Sequence, residues 1–194
     1  MTIVIVLVVL LTIISSVIAA RPAQFRIERN ASIPAPSSVV FPLLEDFHHW
    51  VAWSPWEKLD PSMKKTFSGS ASGKGAQYAW LGNSKAGQGR MEILASHAPE
   101  LVSIQVEIVK PFPSKNLTKF KLVPESDGTR VHWIMEGENN FMGKAFSLFV
   151  NMDTLLGKDL EAGLDNLKKA AQTNRPLPSP TGVATQSTGG LIAP

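Results

Sequence analysis

The stretch DTLLGKDLEAGLDNLKKAA, residues 153 to 171, decides how the rest of the chain must fold. Its apolar positions recur mostly at steps of three and four, which places them on one side of a helix. They are Leu156, Leu160, Gly163, Leu164, Leu167 and Ala171. Asp153 is the predicted N-cap, because an aspartate side chain accepts hydrogen bonds from the first free N–H groups of a helix. Such an amphipathic helix needs a partner surface, and the preceding residues must supply it.

Two glycines, Gly157 and Gly163, interrupt this predicted helix. Each costs roughly 1 kcal/mol relative to alanine in a helix interior. We therefore expect them either to permit close approach of another part of the chain or to leave room beside the helix.

Composition excludes several classes of protein. The 194 residues, 44% of them hydrophobic, suffice for one globular domain with short appendages. The chain has no cysteine, which excludes disulfides, thiolate metal ligands and a cysteine nucleophile. A net charge of +3 is too small to favour a nucleic-acid partner. His48 and His49 are adjacent, so they cannot share one helix face as metal ligands, and neither a metal nor a cofactor is predicted.

Residues 1 to 20 are predicted to form a transmembrane anchor, with an uncharged apolar run over residues 2 to 20. As a helix this run is about 28 Å long, close to the roughly 30 Å of a bilayer's hydrocarbon core. Arg21, Arg26 and Arg29 follow it, so the positive-inside rule predicts a single-pass protein of the inner (cell) membrane with its globular part in the cytoplasm. The alternative is a signal peptide cleaved after residues 17 to 19, which would leave a secreted or periplasmic domain.

The central residues predict an antiparallel sheet. Residues 24 to 33 alternate as a first strand, and a short helix capped by Ser37 or Ser38 follows. From residue 64 to residue 139, six β-rich runs are separated by turn-forming residues, as in an antiparallel meander. Residues 141 to 150 predict a short lead-in helix, and residues 175 to 194 a disordered tail. The whole is an α+β domain over residues 21 to 174.

Three tryptophans, Trp50, Trp53 and Trp56, lie within seven residues of one another. They could form an aromatic lid over a site, or they could close one end of the core. The second interpretation is favoured, because large aromatic side chains are buried on average.

The order of elements and several motifs resemble the SRPBCC or START-like superfamily, and most of all bacterial proteins labelled polyketide cyclase/dehydrase-like. The resemblance implies a helix-grip fold, in which the sheet wraps around the long C-terminal helix and leaves an apolar cavity for a hydrophobic small molecule. The motifs are WSPWEKLDP (53–61), GKGAQYAWLGN (73–83), GQGRMEI (87–93), VKPF (109–112), GTRVHWIMEG (128–137) and GKDLEAGLDNLK (157–168).

Strand alternation then predicts which side chains face such a cavity. Tyr78 is expected to offer a hydroxyl that orients an apolar guest, and the tryptophans offer flat surfaces. The alternative is that the same rings fill the space completely, as in a solid core. The predicted ligand-binding residues are Tyr78, Trp80, Met91, Ile104, Val106, Ile108 and Trp133 from the strands, and Leu160, Gly163 and Leu164 from the helix.

Catalytic residues are not assigned. Glu136 and Glu138 share a strand face, but they and Glu107 are interpreted as solvated side chains. His132 alternates with Trp133, so only one of the two faces inward, and the ring of Trp133 is the better candidate. Three functions stay open. A membrane-anchored binder of a lipid-like or aromatic ligand is favoured, ahead of a cyclase or dehydratase-type enzyme and a protein-interaction module.

Overall fold

Seven strands form one antiparallel sheet in the computed structural model, which describes residues 1–139, 141–148 and 151–173. The strand order is β1-β7-β6-β5-β4-β3-β2, so the first strand lies beside the last. The strands are β1 Gln24–Ile33, β2 Lys64–Gly69, β3 Ala76–Leu81, β4 Gln88–His97, β5 Leu101–Lys110, β6 Ser114–Glu125 and β7 Gly128–Glu138. The predicted meander is confirmed.

Within the described ranges, four α-helices and two short 3₁₀ helices accompany the sheet. The α-helices are α1 Thr2–Ala19, α2 Ser37–Glu45, α3 Phe141–Phe146 and α4 Met152–Thr173. The 3₁₀ helices are Phe47–Ala52 and Pro55–Lys58. The α+β helix-grip architecture is therefore confirmed, while the predicted tail at 175–194 lies outside the described residues.

The predicted apolar face of helix α4 packs against the sheet, and Leu160, Leu164 and Leu167 on this face are almost fully buried. Its start differs from the prediction. Asn151 is the N-cap, since its Oδ1 accepts a hydrogen bond from the backbone N–H of Thr154 at 3.2 Å. Asp153 instead lies in the first turn, where both of its carboxylate oxygens accept hydrogen bonds from Arg29 of β1. The carboxylate that was predicted to cap the helix thus ties it to the sheet.

The first short helix also begins without the predicted serine cap. Pro36 is the N-cap of α2, and no side chain caps it. The hydroxyl of Ser37 lies 3.1 Å from that of Thr129 on β7, so it joins the helix to the sheet.

Two of the three tryptophans close the core beside α2, as the favoured interpretation predicted, whereas Trp56 is only half-buried. Trp50 and Trp53 are buried, and their indole N–H groups donate to the backbone oxygens of Leu44 at 3.1 Å and Leu43 at 2.8 Å. These carbonyls belong to the last turn of α2, where no further helical N–H is available to them. The two rings therefore fill the core and also satisfy the end of the helix.

Strand register brings several chain segments to one end of the sheet. Gln88 pairs with Lys110, and Gln24 pairs with Glu138. The β3–β4 turn (82–87), the β5–β6 turn (111–113), the start of β1 and the end of β7 therefore lie together, and we call this the open end. Helix α1 joins β1 here, and it contributes no residue to the main buried cluster.

Candidate functional site

A cavity of about 680 Å³ lies between the inner face of the sheet and the helices at the open end. Ligand pockets typically measure about 300–1,000 Å³, so the space suits a small organic molecule. The sheet supplies one wall, α3 and the first turn of α4 supply another, and the segment 50–63 supplies the third. The wall is mostly apolar, with polar groups such as Ser54, Glu57, Asn116 and Thr118 between the apolar ones.

Six of the ten residues predicted to bind a ligand line this cavity, all of them on strands: Tyr78, Trp80, Met91, Val106, Ile108 and Trp133. Ile104, Leu160 and Leu164 are instead buried in the core beyond it. Gly163 lies against the Trp133 ring, away from the cavity. Met152 and Leu156, nearer the start of α4, supply the helical wall. Ligand contact at the six lining residues stays a prediction.

Trp133 separates the cavity from the solid core. A Cβ atom added at Gly163 would lie only 2.5 Å from Cζ3 of Trp133, so this glycine is required by close approach of the ring. Trp53 and Trp56 meet the same ring edge-on, each with centroids 5.5 Å apart, and Phe120 lies at 4.9 Å. The ring fills the gap between sheet and helix, which explains why the cavity does not extend to Leu160.

The indole of Trp133 also carries an unsatisfied hydrogen-bond donor. Among the described residues, its Nε1 is the buried side-chain polar atom without a partner. A buried donor left in this state costs about 1–3 kcal/mol. The innermost wall thus includes a polar group that no described residue satisfies.

A carboxylate that no sequence motif indicated holds Tyr78. Its Oη donates to Oε1 of Glu57 at 2.7 Å, and Oε2 of Glu57 accepts from Nζ of Lys65. The Glu57 side chain is only 7% exposed. Burial, reinforced by the hydrogen bond to Glu57, raises the pKa of Tyr78 far above its ordinary value. The phenol proton is therefore engaged by the protein, and the phenol oxygen remains able to accept a hydrogen bond from a guest.

One signal in the sequence could have pointed to Glu57. It stands in the WSPWEKLDP motif directly after Trp56, so it was a polar residue beside a ring expected at the core. The 3₁₀ helix Pro55–Lys58 turns its side chain toward the cavity wall.

Of the other titratable candidates, Glu107, Glu136 and His132 lie on the outer face of the sheet, whereas Glu138 is exposed at the edge of the cavity. Glu136 accepts from Lys119 at 2.7 Å and also pairs with Arg26, and the hydrogen bond from Lys119, despite some burial, lowers the pKa of Glu136. His132 Nδ1 lies 3.0 Å from Glu28. These groups form surface ion pairs because they alternate with the inward side chains. Within the described residues, no group of three His, Cys, Asp or Glu side chains comes together in a metal-binding arrangement.

Helix α1 is long and apolar enough to cross a membrane. A signal sequence near an N-terminus has the same length and composition, so the helix fits either role. Its side chains are almost entirely exposed, with Ile18 as the buried exception.

Fold and cavity together define a START-like ligand-binding domain. The chain belongs to the family described as polyketide cyclase / dehydrase and lipid transport, whose model matches residues 24–172. The matched region runs from β1 to the last turn of α4, and it leaves out α1. Membership of this family supports a hydrophobic ligand as the partner of the domain.

Solved structures share the fold at low sequence identity. A protein of Chromobacterium violaceum is 15% identical with a TM-score of 0.55, over 78% of this chain and 99% of that one. A Staphylococcus aureus protein of unknown function is 8% identical with a TM-score of 0.58, over 77% and 94%. DynU16, of the dynemicin biosynthetic locus, is 11% identical with a TM-score of 0.53, over 78% and 48%. No curated protein matches the sequence.

Proposed function

We propose that this protein is a membrane-anchored binder that holds one hydrophobic small molecule in the cavity between its sheet and α4. The observation that carries the proposal is the mostly apolar cavity of about 680 Å³, lined by aromatic rings and a few fixed polar groups. Apolar walls supply binding energy, and a small number of polar groups orient the guest. The phenol oxygen of Tyr78 and the unsatisfied N–H of Trp133 are the groups that would do so.

The anchor in this proposal is α1. Its apolar residues are exposed to the surroundings of the domain, and a bilayer would cover them. The basic residues that follow α1 favour a cytoplasmic domain in the inner (cell) membrane. The full-length protein should therefore stay with membranes after carbonate extraction. Recovery of a shortened, soluble form outside the cytoplasm would refute the anchor and leave the cavity untouched.

Ligand binding is tested on the domain that lacks residues 1–20. Its buried core contains no side chain of the removed segment, so it should fold without it. We expect the uncharged dye N-phenyl-1-naphthylamine to bind with a rise in fluorescence, and Trp80→Ala to weaken that binding. Val123→Ala is the control, because Val123 is an exposed apolar residue on β6 outside the cavity wall. Equal dye binding by both variants, or none by the parent, would refute the cavity. Native mass spectrometry of the domain purified from its host would identify the guest.

A second candidate, an enzyme of the cyclase or dehydratase type, is favoured by one observation. Glu57 and Tyr78 place a carboxylate and a phenol side by side at the cavity wall, as acid–base chemistry requires. Both oxygens of Glu57 already accept hydrogen bonds, however, from Tyr78 and Lys65, so Glu57 is poorly placed to take a further proton. The binder is therefore preferred.

Glu57→Gln separates the two candidates. An enzyme should convert its host-derived guest during incubation, and the variant should lose that conversion, which a change of guest mass would reveal. A binder should leave the mass unchanged in the parent and in the variant.

A further inference from the structure

Large apolar side chains are exposed around the mouth of the cavity. Phe112 in the β5–β6 turn is 67% exposed, and Phe146 in α3 is 46% exposed, yet both also line the cavity. Leu59, at the same mouth, is 40% exposed. Exposed apolar side chains that cluster around an opening mark a surface that another apolar body covers.

The connection from α1 to the sheet is too short to let the open end move far from α1. Helix α1 ends at Ala19 and β1 begins at Gln24. Fully extended, the chain between them spans at most about 18 Å. Two hydrogen bonds also hold this connection against the domain. The backbone N–H of Asn139 donates to the oxygen of Ala23 at 2.6 Å, and Nζ of Lys144 donates to the oxygen of Ala19 at 3.2 Å. Lys144 belongs to α3, the helix that carries Phe146.

Basic side chains surround the same mouth. Lys85 lines the cavity, Lys110 precedes the turn that holds Phe112, and Lys115 follows it. These three lysines and Arg21, between α1 and β1, form no ion pair within the described part of the chain. Glu57 and Glu138 are the acidic side chains that line the cavity, and Glu57 is already paired with Lys65. Basic residues beside exposed aromatic side chains, at the end of the domain that α1 joins, match the surface of an anionic bilayer.

We propose that the open end rests on the bilayer that α1 crosses, with Phe112 and Phe146 in the interface and the cations among lipid headgroups. The proposal rests on the proposed function, because it takes α1 as an anchor and the cavity as the binding site. It adds the source of the ligand. A lipid-like molecule passes between the bilayer and the cavity through the mouth, without crossing water.

The absence of cysteine makes a direct test possible in the full-length chain. Phe112→Cys and Phe146→Cys each receive a nitroxide label, and the proteins are reconstituted into vesicles of phosphatidylcholine with a minority of phosphatidylglycerol. Leu94→Cys is the matched control, because Leu94 is an apolar residue of β4 that is 42% exposed. It lies about 20 Å further from the open end at the ordinary rise of a strand. All three sites are exposed, so substitution should leave the fold intact, which circular dichroism checks.

Power saturation with oxygen and a nickel chelate then reports where each label lies. We expect oxygen to be the stronger relaxant at positions 112 and 146, and the nickel chelate to be stronger at position 94. Aqueous behaviour at 112 and 146 would overturn the proposal. Shielding from both relaxants would also overturn it, since it would place a protein surface, such as a second copy of this chain, over the mouth.

Failure of the proposed function gives a different result. Loss of the protein from the vesicles after carbonate treatment would refute the anchor, and absence of dye binding by the domain would refute the cavity. A protein that is retained and binds the dye, but whose labels at 112 and 146 are aqueous, refutes only the docking of the mouth.

Discussion

Replacement of Gly163 by alanine tests whether Trp133 forms the boundary between the core and the cavity. The new Cβ would lie 2.5 Å from Cζ3 of Trp133 and 3.2 Å from Cδ of Pro55. Real Cβ contacts are longer than the first of these, so the ring must move. Trp53 and Phe120 pack against it on the core side, and space remains only toward the cavity.

The expected magnitude follows from two opposing effects. Overpacking of a buried ring costs about 1–3 kcal/mol, and alanine in place of glycine returns about 1 kcal/mol of helix propensity. The net loss in the free energy of unfolding for Gly163→Ala should be about 0–2 kcal/mol. Because the ring moves into the cavity, dye affinity should fall as well.

Gly157→Ala is the matched control, since it gains the same helix propensity on the same helix. Its Cβ would meet the guanidinium of Arg29, the far end of a flexible side chain that can swing aside. That movement disturbs ion pairs with Asp153 and Glu161, each worth about 0–1 kcal/mol at a surface. Urea unfolding and dye titration of both variants decide the matter. Equal stability with unchanged dye affinity would refute the position assigned to Trp133.

Three further outcomes are expected. Trp133→Ala should lower the free energy of unfolding by about 3–5 kcal/mol. Trp80→Ala should lower it by less, because the ring of Trp80 is only half-buried. Equal losses for the two variants in urea unfolding would contradict this expectation. Burial and the hydrogen bond to Glu57 raise the pKa of Tyr78, which is the chain's only tyrosine. Spectrophotometric titration of the folded protein should therefore show no tyrosinate near pH 10.0. Ionisation of Tyr78 near pH 10.0 would instead place its phenol in water. Glu136→Gln should be less stable than the parent at neutral pH, and the difference should disappear in acid. The pKa of Glu136 in the folded state is depressed below its ordinary value of 4.5. The stabilisation that Glu136 provides is therefore fully present above pH 4.5 and is lost as the pH falls through the depressed pKa. A difference in urea midpoint between parent and variant that persists in acid would refute this prediction.

Periodicity was enough to predict the sheet and α4, because their buried faces dictate the spacing of apolar residues. Alternation within each strand predicted that Tyr78, Met91 and Val106 share one face of the sheet. The strand register brings these three side chains next to one another, because Tyr78 pairs with Met91 and Met91 pairs with Val106. The wall of the cavity on the strands could therefore be predicted from the sequence.

The helical wall and the polar groups could not be predicted in the same way. All residues on the apolar face of α4 look equivalent in a helical pattern, and only the position of the Trp133 ring decides that Leu160 is core while Leu156 is wall. Glu57 depends on the geometry of a short 3₁₀ helix, which has no periodic signal. The cap at Asn151 was missed because Arg29, far away in the sequence, engages Asp153.

The pairing of β1 with β7 also governs the order in which the protein can be completed during synthesis. Gln24 finds its partner Glu138 only after the intervening chain has left the ribosome. At about 5–20 residues per second, the roughly 110 residues between them take on the order of 5–20 seconds. Throughout that interval β1 carries unpaired backbone groups beside a newly made apolar helix. The nascent chain therefore offers a free strand edge, available to a chaperone or to aggregation, until β7 arrives and closes it.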